Sequence, residues 1–279
     1  MPILLAVVSA ALLGVSDYTG GRVSRTTNPM AVTLMANIVG LVGVAALLPA
    51  LGDPLPGASD LAWGAGAGIC GVIGVVCLYW ALANGAMTVV APATSIVAAG
   101  LPVAVGITLG ERPGATALVG MAVGLTAVAL IAGALGIAHA PIAPRVLAVA
   151  IVAGLGFGLL FVMYGRTSDE SGMWPLASGR VAVIPILFGL CVATGALATL
   201  RGRNLRLAAL IGALGLVANV AYIVAVRQGL LSIVAIVVAL YPASTVLLAT
   251  VLDGERMTRS QFAGLCLAAA ALVLVTIGS

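Results

Sequence analysis

The sequence predicts an all-helical, polytopic membrane protein of ten transmembrane helices, arranged as two inverted five-helix repeats. Three observations support this prediction: the composition, the number of long apolar segments, and a constant offset between matching landmarks. Hydrophobic residues make up 62% of the 279 residues, charged residues make up 7%, and the mean hydropathy is +1.26. Soluble domains average about 45 to 50% apolar and about 25% charged residues. The solvent of this chain is therefore lipid.

Ten apolar segments are long enough for membrane helices, which need about 20 residues to cross about 30 Å of hydrocarbon. In chain order they span residues 2–18, 29–51, 61–83, 88–109, 115–135, 146–164, 173–200, 205–226, 231–252 and 261–277. Short turn sequences rich in glycine and proline separate most of them. Such short connections predict that consecutive helices run antiparallel.

Matching landmarks recur at an offset of 144 residues. Glu111 of Gly-Glu-Arg matches Glu255 of a second Gly-Glu-Arg, and Gly14 matches Gly158. A constant offset over the chain indicates a duplicated unit. We expect a first repeat at 1–135, a linker at 136–145 and a second repeat at 146–279. Because each repeat holds five helices, the second enters the membrane in the opposite sense, as in secondary transporters.

Charge and motif content exclude several classes of function. All 12 basic residues are arginine, the net charge is +4, and no basic run is long enough to follow a nucleic-acid backbone. The single histidine, His139, lies in the linker, and no cysteine has a histidine or carboxylate nearby in the sequence. No phosphate-binding glycine-rich loop is present. We therefore expect no enzyme activity, metal site, cofactor or nucleic-acid partner, and any energy for transport must come from a gradient, with proton coupling one option.

The resemblance to a known family rests on the order of short motifs over essentially the whole chain. They are the Gly14-Val15-Ser16-Asp17-Tyr18 end of the first helix, Arg180 in the seventh, Pro242 in the ninth, and the two Gly-Glu-Arg endings. This pattern resembles the EamA family of the drug/metabolite transporter superfamily, in its ten-helix form. Ala36 and Ala98 stand in the first repeat where the second has Arg180 and Pro242, so the two repeats are not equal contributors to a site.

The resemblance implies a multi-pass carrier of the inner membrane that moves a small metabolite by alternating access, with the first four helices of each repeat around the site. We expect efflux of an amino acid or related amphiphile. A multidrug or cationic compound exporter is the alternative, and a non-transporting membrane scaffold or sensor is the alternative from another class. Small-molecule substrate and membrane lipid are the expected partners, and a monomer and a homodimer are both open.

The arginine distribution and the family resemblance predict opposite orientations of the chain in the membrane. Eight arginines fall in loops on the side away from the N-terminus and three on the N-terminal side, so the positive-inside rule places both termini outside the cytoplasm. The family resemblance implies that both termini are cytoplasmic.

Charged groups within an apolar helix are costly, so each needs a partner or a water-filled path. Asp17, beside Tyr18, is either a proton- or cation-responsive site or an interfacial aspartate paired with Arg22 or Arg25. Arg180 lies about 10 Å along its helix from Trp174. Its planar guanidinium could bind a substrate carboxylate or phosphate. In the alternative, it contacts lipid headgroups or backbone carbonyls and has a structural role.

Further polar and aromatic residues are candidates for the wall of a substrate pathway. Residues near helix ends have an interfacial aromatic belt as their alternative role. The set is Asn37, Tyr79, Trp80, Ser95, Asn219, Tyr222 and Tyr241.

Three prolines, Pro92, Pro102 and Pro242, interrupt the fourth and ninth helices and predict bends there, because proline lacks a backbone donor and clashes with the preceding turn. The charged endings, Glu111 with Arg112 and Glu255 with Arg256, are expected to cap and anchor helix ends at the two membrane interfaces.

Overall fold

The computed structural model describes residues 1–24, 26–84, 87–132, 143–254 and 256–278, with the backbone alone at 79, 82, 83, 87–89, 91 and 92. These residues form eleven α-helices. In chain order they are α1 Pro2–Ser24, α2 Pro29–Leu51, α3 Ala58–Asn84, α4 Met87–Thr108, α5 Ala115–Ile131, α6 Pro144–Gly165, α7 Trp174–Ala193, α8 Gly202–Gln228, α9 Leu231–Val238, α10 Pro242–Asp253 and α11 Arg259–Gly278. One-turn 3-10 helices lie at Asp169–Ser171 and Ala196–Thr199.

The all-helical membrane architecture is confirmed. Within the described ranges, eight segments are long and apolar enough to cross a membrane, and two more, Ala93–Thr108 and Ala115–Ile131, are shorter apolar helices. One of the eight, Leu231–Asp253, combines α9 and α10. The ten spans of the prediction are therefore all present as helical segments.

The ninth span is divided, whereas the sequence predicted one helix over residues 231–252. Its first half, α9, ends at Val238, and its second half begins with Pro242 in the first turn of α10. Proline cannot donate to the carbonyl one turn earlier and clashes with it, so the helix restarts at this residue. All eight residues of α9 are buried and none of α10 is. The fourth span stays one α-helix over Met87–Thr108 with both of its prolines inside.

The seventh span is shorter than predicted. We expected residues 173–200, but α7 ends at Ala193, and a turn follows in which Gly195 has φ 67°. That left-handed conformation is cheap only for glycine and ends a helix. The remaining residues form the 3-10 helix Ala196–Thr199.

The two halves of the chain interlock. Helix α3 packs on α6 and α7, α8 packs on α1 and α2, and α5 packs on α11. Small residues allow these close approaches: a side chain at Gly68 would meet the backbone of Gly179, and one at Gly212 would meet the backbone of Ala36. Each half therefore buries its helices against the other half.

Equivalent positions of the two halves lie on opposite faces of the molecule. Asp60 accepts hydrogen bonds from the N–H and Oγ of Ser168, at 2.7 and 2.8 Å. Asn204, 144 residues after Asp60, donates to the hydroxyls of Thr26 and Thr27 at 3.1 and 2.6 Å. We call the Asp60 side, which also holds Pro2 beside Gly229, the N-terminal face, and the Asn204 side the opposite face.

Candidate functional site

Arg180 is the one charged residue of α7. It is 8% exposed, and its Nε and Nη2 atoms make no hydrogen bond to any described residue. The guanidinium lies against Gly40 of α2, where any Cβ would collide with it. Tyr164 of α6 is within electrostatic range of it. A buried charge without a partner is expensive, so Arg180 is a candidate for binding an anion.

A cavity of about 180 Å³ adjoins the guanidinium. Helices α2, α3, α6, α7 and α8 line it, so both halves of the chain contribute to its wall. Glycine and valine from α3 form the apolar side. The polar side consists of Thr33, Asn37, Tyr164, Arg180 and Asn219. One cation, two amides and two hydroxyls around an apolar wall suit a small amphiphile with an anionic group.

Three of the sequence candidates, Asn37, Arg180 and Asn219, therefore meet in one cavity. The side-chain amide of Asn37 donates to the carbonyl of Thr33 one turn earlier, at 2.9 Å. This bond holds the Asn37 side chain along α2 and leaves its oxygen as an acceptor.

Tyr222, another candidate, lies outside the cavity wall. It is fully buried, its hydroxyl donates to the Phe161 carbonyl at 2.7 Å, and the two rings stand 4.9 Å apart. The expectation that Tyr222 faces the pathway is corrected by this geometry: its polar atom joins α8 to α6. Ser95 is half-buried on α4 and is also absent from the cavity wall.

Trp80 lies in the last turn of α3 and is 36% exposed. The guanidinium of Arg145, in the first turn of α6, lies 5.3 Å from its ring centroid. A cation stacked on tryptophan at a helix end fits the interfacial alternative of the sequence analysis. The Tyr79 side chain lies outside the described residues.

Asp17 is exposed on α1 and forms no ion pair with Arg22. Arg22 instead bonds the Tyr18 hydroxyl at 3.0 Å and the Asp253 carboxylate of α10 at 2.9 Å. The interfacial pairing with Arg22 considered for Asp17 is therefore wrong, and Arg25 lies outside the described residues. Asp17 is within electrostatic range of the Tyr241 phenol.

Tyr241 and Pro242 form the break between α9 and α10, where α1 makes its closest approach. A side chain at Gly14 would meet the Tyr241 carbonyl and the Ser244 side chain. Thr245 donates to the Gly14 carbonyl at 3.2 Å. The break is thus packed directly against the helix that carries Asp17. Pro102 is buried within α4, and the Pro92 side chain is outside the described set.

Glu111 caps a helix, but the helix belongs to the other repeat. Its two carboxylate oxygens accept from the N–H groups of Leu231 and Ser232 at the start of α9. Arg112 and Arg256 are exposed in their loops. Glu255 lies outside the described residues.

The sequence analysis missed Gly40, Thr33 and Tyr164. Gly40 had a readable signal, because Ala36 and Gly40 place two small residues one turn apart on α2, a spacing typical of close helix approach. Tyr164 is the last residue of an apolar segment, a position typical of a tyrosine at the membrane interface. Only the packing of α6 and α7 on the same helix, α3, brings it to the cavity wall that holds Arg180.

Comparisons with known proteins agree with this architecture. The model of the EamA-like transporter family matches residues 1–133 and again 145–277. A comparison with curated proteins gave no match. Among solved structures 28 chains match; one crystal structure has a TM-score of 0.76 at 18% identity, over 99% of this chain and 97% of that one. At that identity the likeness shows the fold alone. The two family matches cover nearly the whole sequence, and the chain therefore belongs to the EamA-like transporter family, as a multi-pass membrane transporter.

Proposed function

We propose that the chain exports an amino acid, or a related amphiphile with a carboxylate, by alternating access around the central cavity. The observation that carries this proposal is Arg180, a buried guanidinium with two unpaired nitrogens at the cavity wall. A guanidinium presents parallel N–H donors that match the two oxygens of a carboxylate. The substrate carboxylate would supply the counter-charge that Arg180 does not have among the described residues.

The rest of the cavity fits the remainder of such a molecule. The Asn37 oxygen and the Asn219 amide are acceptors for an ammonium group, and the α3 wall of Gly68, Gly71, Val72 and Val75 is a surface for a small apolar side chain. Bonds to both ends of the solute would orient it.

The size and charge of the cavity favour this substrate class over a multidrug exporter. Drug-sized ligands occupy pockets of about 300 to 1,000 Å³, and this cavity is about 180 Å³. A cationic drug would also face the Arg180 charge without a carboxylate in the cavity wall. Membership of a transporter family argues against a scaffold or sensor.

The test of transport is counterflow in proteoliposomes. Liposomes holding the purified protein are preloaded with one unlabelled L-amino acid, and uptake of the radiolabelled form is followed. The carboxylate-free amine of the same side chain is the matched competitor. We expect at least one amino acid to exchange, with no competition from its amine. Failure of all twenty to exchange in a folded preparation would refute the proposed substrate class.

We further propose that Asp17 couples transport to a proton gradient. It is the acid within the α1 span, it is unpaired with Arg22, and it adjoins the break of the ninth span. The titratable or charged groups on the elements around α1 are Tyr18 and Arg22 on α1 itself, Tyr241 at the break, Asp253 on α10, and Arg203, Arg206, Tyr222 and Arg227 on α8; α2 and α9 have none. Gain and loss of a proton at Asp17 would change the charge against which the break packs.

Asp17→Asn tests this coupling, because it keeps the shape and removes the titration. In proteoliposomes the variant should retain counterflow and lose the acceleration of net transport by a pH gradient. An unchanged response of net transport to the pH gradient would exclude Asp17 as the coupling group.

A further inference from the structure

Glu111 joins the two repeats at the N-terminal face through the start of a helix. Its Oε1 accepts from the Leu231 N–H at 2.5 Å, and its Oε2 accepts from the Ser232 N–H at 2.9 Å. The first N–H groups of an α-helix have no partner within the helix, and the helix dipole favours an anion beside them. One carboxylate thus satisfies two backbone donors of α9 from the end of α4.

Two glycines bring the carboxylate into position. Gly110 has φ 94°, a left-handed conformation that turns the chain back at the end of α4. The Glu111 N–H donates to the Gly106 carbonyl at 3.1 Å. A Cβ at Gly106 would collide with Oε2 of Glu111. The absence of a side chain at 106 is therefore a condition of this cap.

The capped helix is suited to closing a pathway. Every residue of α9 is buried, and the chain breaks from α-helix before Pro242, so α9 is a separate half-helix within its span. The break gives α9 a hinge at one end, while Glu111 holds the other end. Hinges at helix ends are typical points where domain motions concentrate.

The second repeat differs from the first at the position equivalent to Gly106. Gly254, 144 residues after Gly110, repeats the left-handed turn with φ 68°. The position equivalent to Gly106, however, is Thr250, whose hydroxyl donates to the Val246 carbonyl at 2.9 Å. In the first repeat a Cβ at this position would occupy the place of the carboxylate oxygen. Glu255 lies outside the described residues, so this cap is described for the first repeat alone.

We propose that Glu111 is a positioning residue of the transport cycle, a latch that holds α9 against α4 and keeps the N-terminal face closed. Opening of that face breaks the two hydrogen bonds and lets α9 pivot at its break. The proposal rests on the alternating access of the proposed function and does not depend on the identity of the solute.

The reporter for the latch is Ser232→Cys. Ser232 is fully buried, and its hydroxyl makes no hydrogen bond with the part of the chain that the structure describes. The four native cysteines, Cys70, Cys77, Cys191 and Cys266, are replaced by alanine in the background. Purified protein is treated with a membrane-impermeant maleimide, and the labelling rate is read by mass spectrometry. Val23→Cys, at 2% exposure near the opposite face, is a second reporter for general loosening.

Glu111→Ala should raise the labelling rate at position 232 about a hundredfold, which is about tenfold for each of the two lost hydrogen bonds to a charged group, and should leave the Val23→Cys rate unchanged. Gly106→Ala should raise the position 232 rate in the same direction, because it displaces the carboxylate. Glu111→Gln should give an intermediate rate, since an amide has one acceptor oxygen. Arg112→Ala and Thr250→Gly are matched controls that should label like the parent.

An unchanged position 232 rate in Glu111→Ala, Glu111→Gln and Gly106→Ala would overturn the latch, and so would equal increases at both reporters. If Glu111→Ala fails to fold, the other two variants carry the test. The labelling rates at position 232 test the latch independently of counterflow, because labelling needs no substrate.

Discussion

At the scale of single residues, the candidate site centres on the buried charge of Arg180. Arg180 is 8% exposed, and its Nε and Nη2 make no hydrogen bond within the described part of the chain. Charged groups in the membrane mark substrate paths when they face a cavity. Gly40 of α2 leaves space for the guanidinium, and Tyr164 of α6 adjoins it. Three helices, α2, α6 and α7, therefore determine the position of its N–H donors.

Gly40→Ala should displace Arg180 without removing it. The added Cβ would overlap the guanidinium, and we expect the affinity for the transported amino acid to fall about tenfold, the size expected for one charge-assisted hydrogen bond. Titration calorimetry in detergent measures it. Gly189→Ala on α7 is the control, since its Cβ meets open space. Equal affinities in both variants would show that Arg180 does not need the space at Gly40.

Tyr222→Phe should separate packing from substrate contact. The change leaves the buried Phe161 carbonyl without its donor at 2.7 Å, which should cost about 1 to 2 kcal/mol of stability. Thermal unfolding should show a lower Tm, while the substrate affinity stays that of the parent. A loss of affinity with unchanged Tm would return Tyr222 to the pathway.

At the scale of elements, close packing of glycine-bearing helices fixes where the site forms. Gly68 of α3 lies on the backbone of Gly179, the residue before Arg180. Gly64 and Gly68 stand four positions apart in the sequence, a spacing typical of close helix packing. The sequence did not indicate the partner helix, because glycine spacing identifies the packing face of a helix but not the helix that packs against it.

Gly68→Ala should therefore destabilise the fold by about 1 to 3 kcal/mol, because its Cβ meets backbone atoms that cannot rotate away. Gly66→Ala on the same helix meets the flexible Met163 thioether and should cost less. Denaturation midpoints of the two variants in one detergent compare them. Equal midpoints would contradict the account of the α3 and α7 contact.

The element boundaries show what the sequence could and could not predict. Ten spans follow from apolar length alone, and Pro242 marked the ninth as irregular. The complete division into α9 and α10 was not predicted, and neither was the packing of α1 on the break through Gly14, which lies 227 positions before Tyr241. Glu111 was predicted to cap a helix end, but the sequence could not indicate that the helix is α9.

At the scale of the whole molecule, the described residues of the two repeats make different contacts at the two faces. The N-terminal face has the Glu111 cap and the Asp60 pair of hydrogen bonds to Ser168. The opposite face has the exposed Arg22–Asp253 ion pair and the Asn204 bonds. The 144-residue offset predicted the duplication, whereas the contacts at each face depend on residues that differ between the repeats, such as Asp60 and Asn204.

Asp60→Ala and Asp253→Ala should therefore have unequal effects. Asp60 is 8% exposed and bonds two donors, so its loss should lower stability by about 1.5 to 3 kcal/mol. The Arg22 side chain of the other pair is 55% exposed, and such surface pairs contribute about 0 to 1 kcal/mol. Thermal unfolding of both variants measures the difference. A greater loss of stability in Asp253→Ala than in Asp60→Ala would contradict this ranking of the two contacts.

The most direct test of the central claim is the binding of one amino acid, chosen by counterflow, to the parent and to Arg180→Ala and Arg180→Lys. Calorimetry compares it with the amine that lacks its carboxylate. The account predicts that the parent binds the amino acid and not the amine, that Arg180→Ala loses the difference, and that Arg180→Lys keeps part of it because a point charge lacks the two-donor fork. Equal affinity of the parent and Arg180→Ala for the amino acid would contradict it.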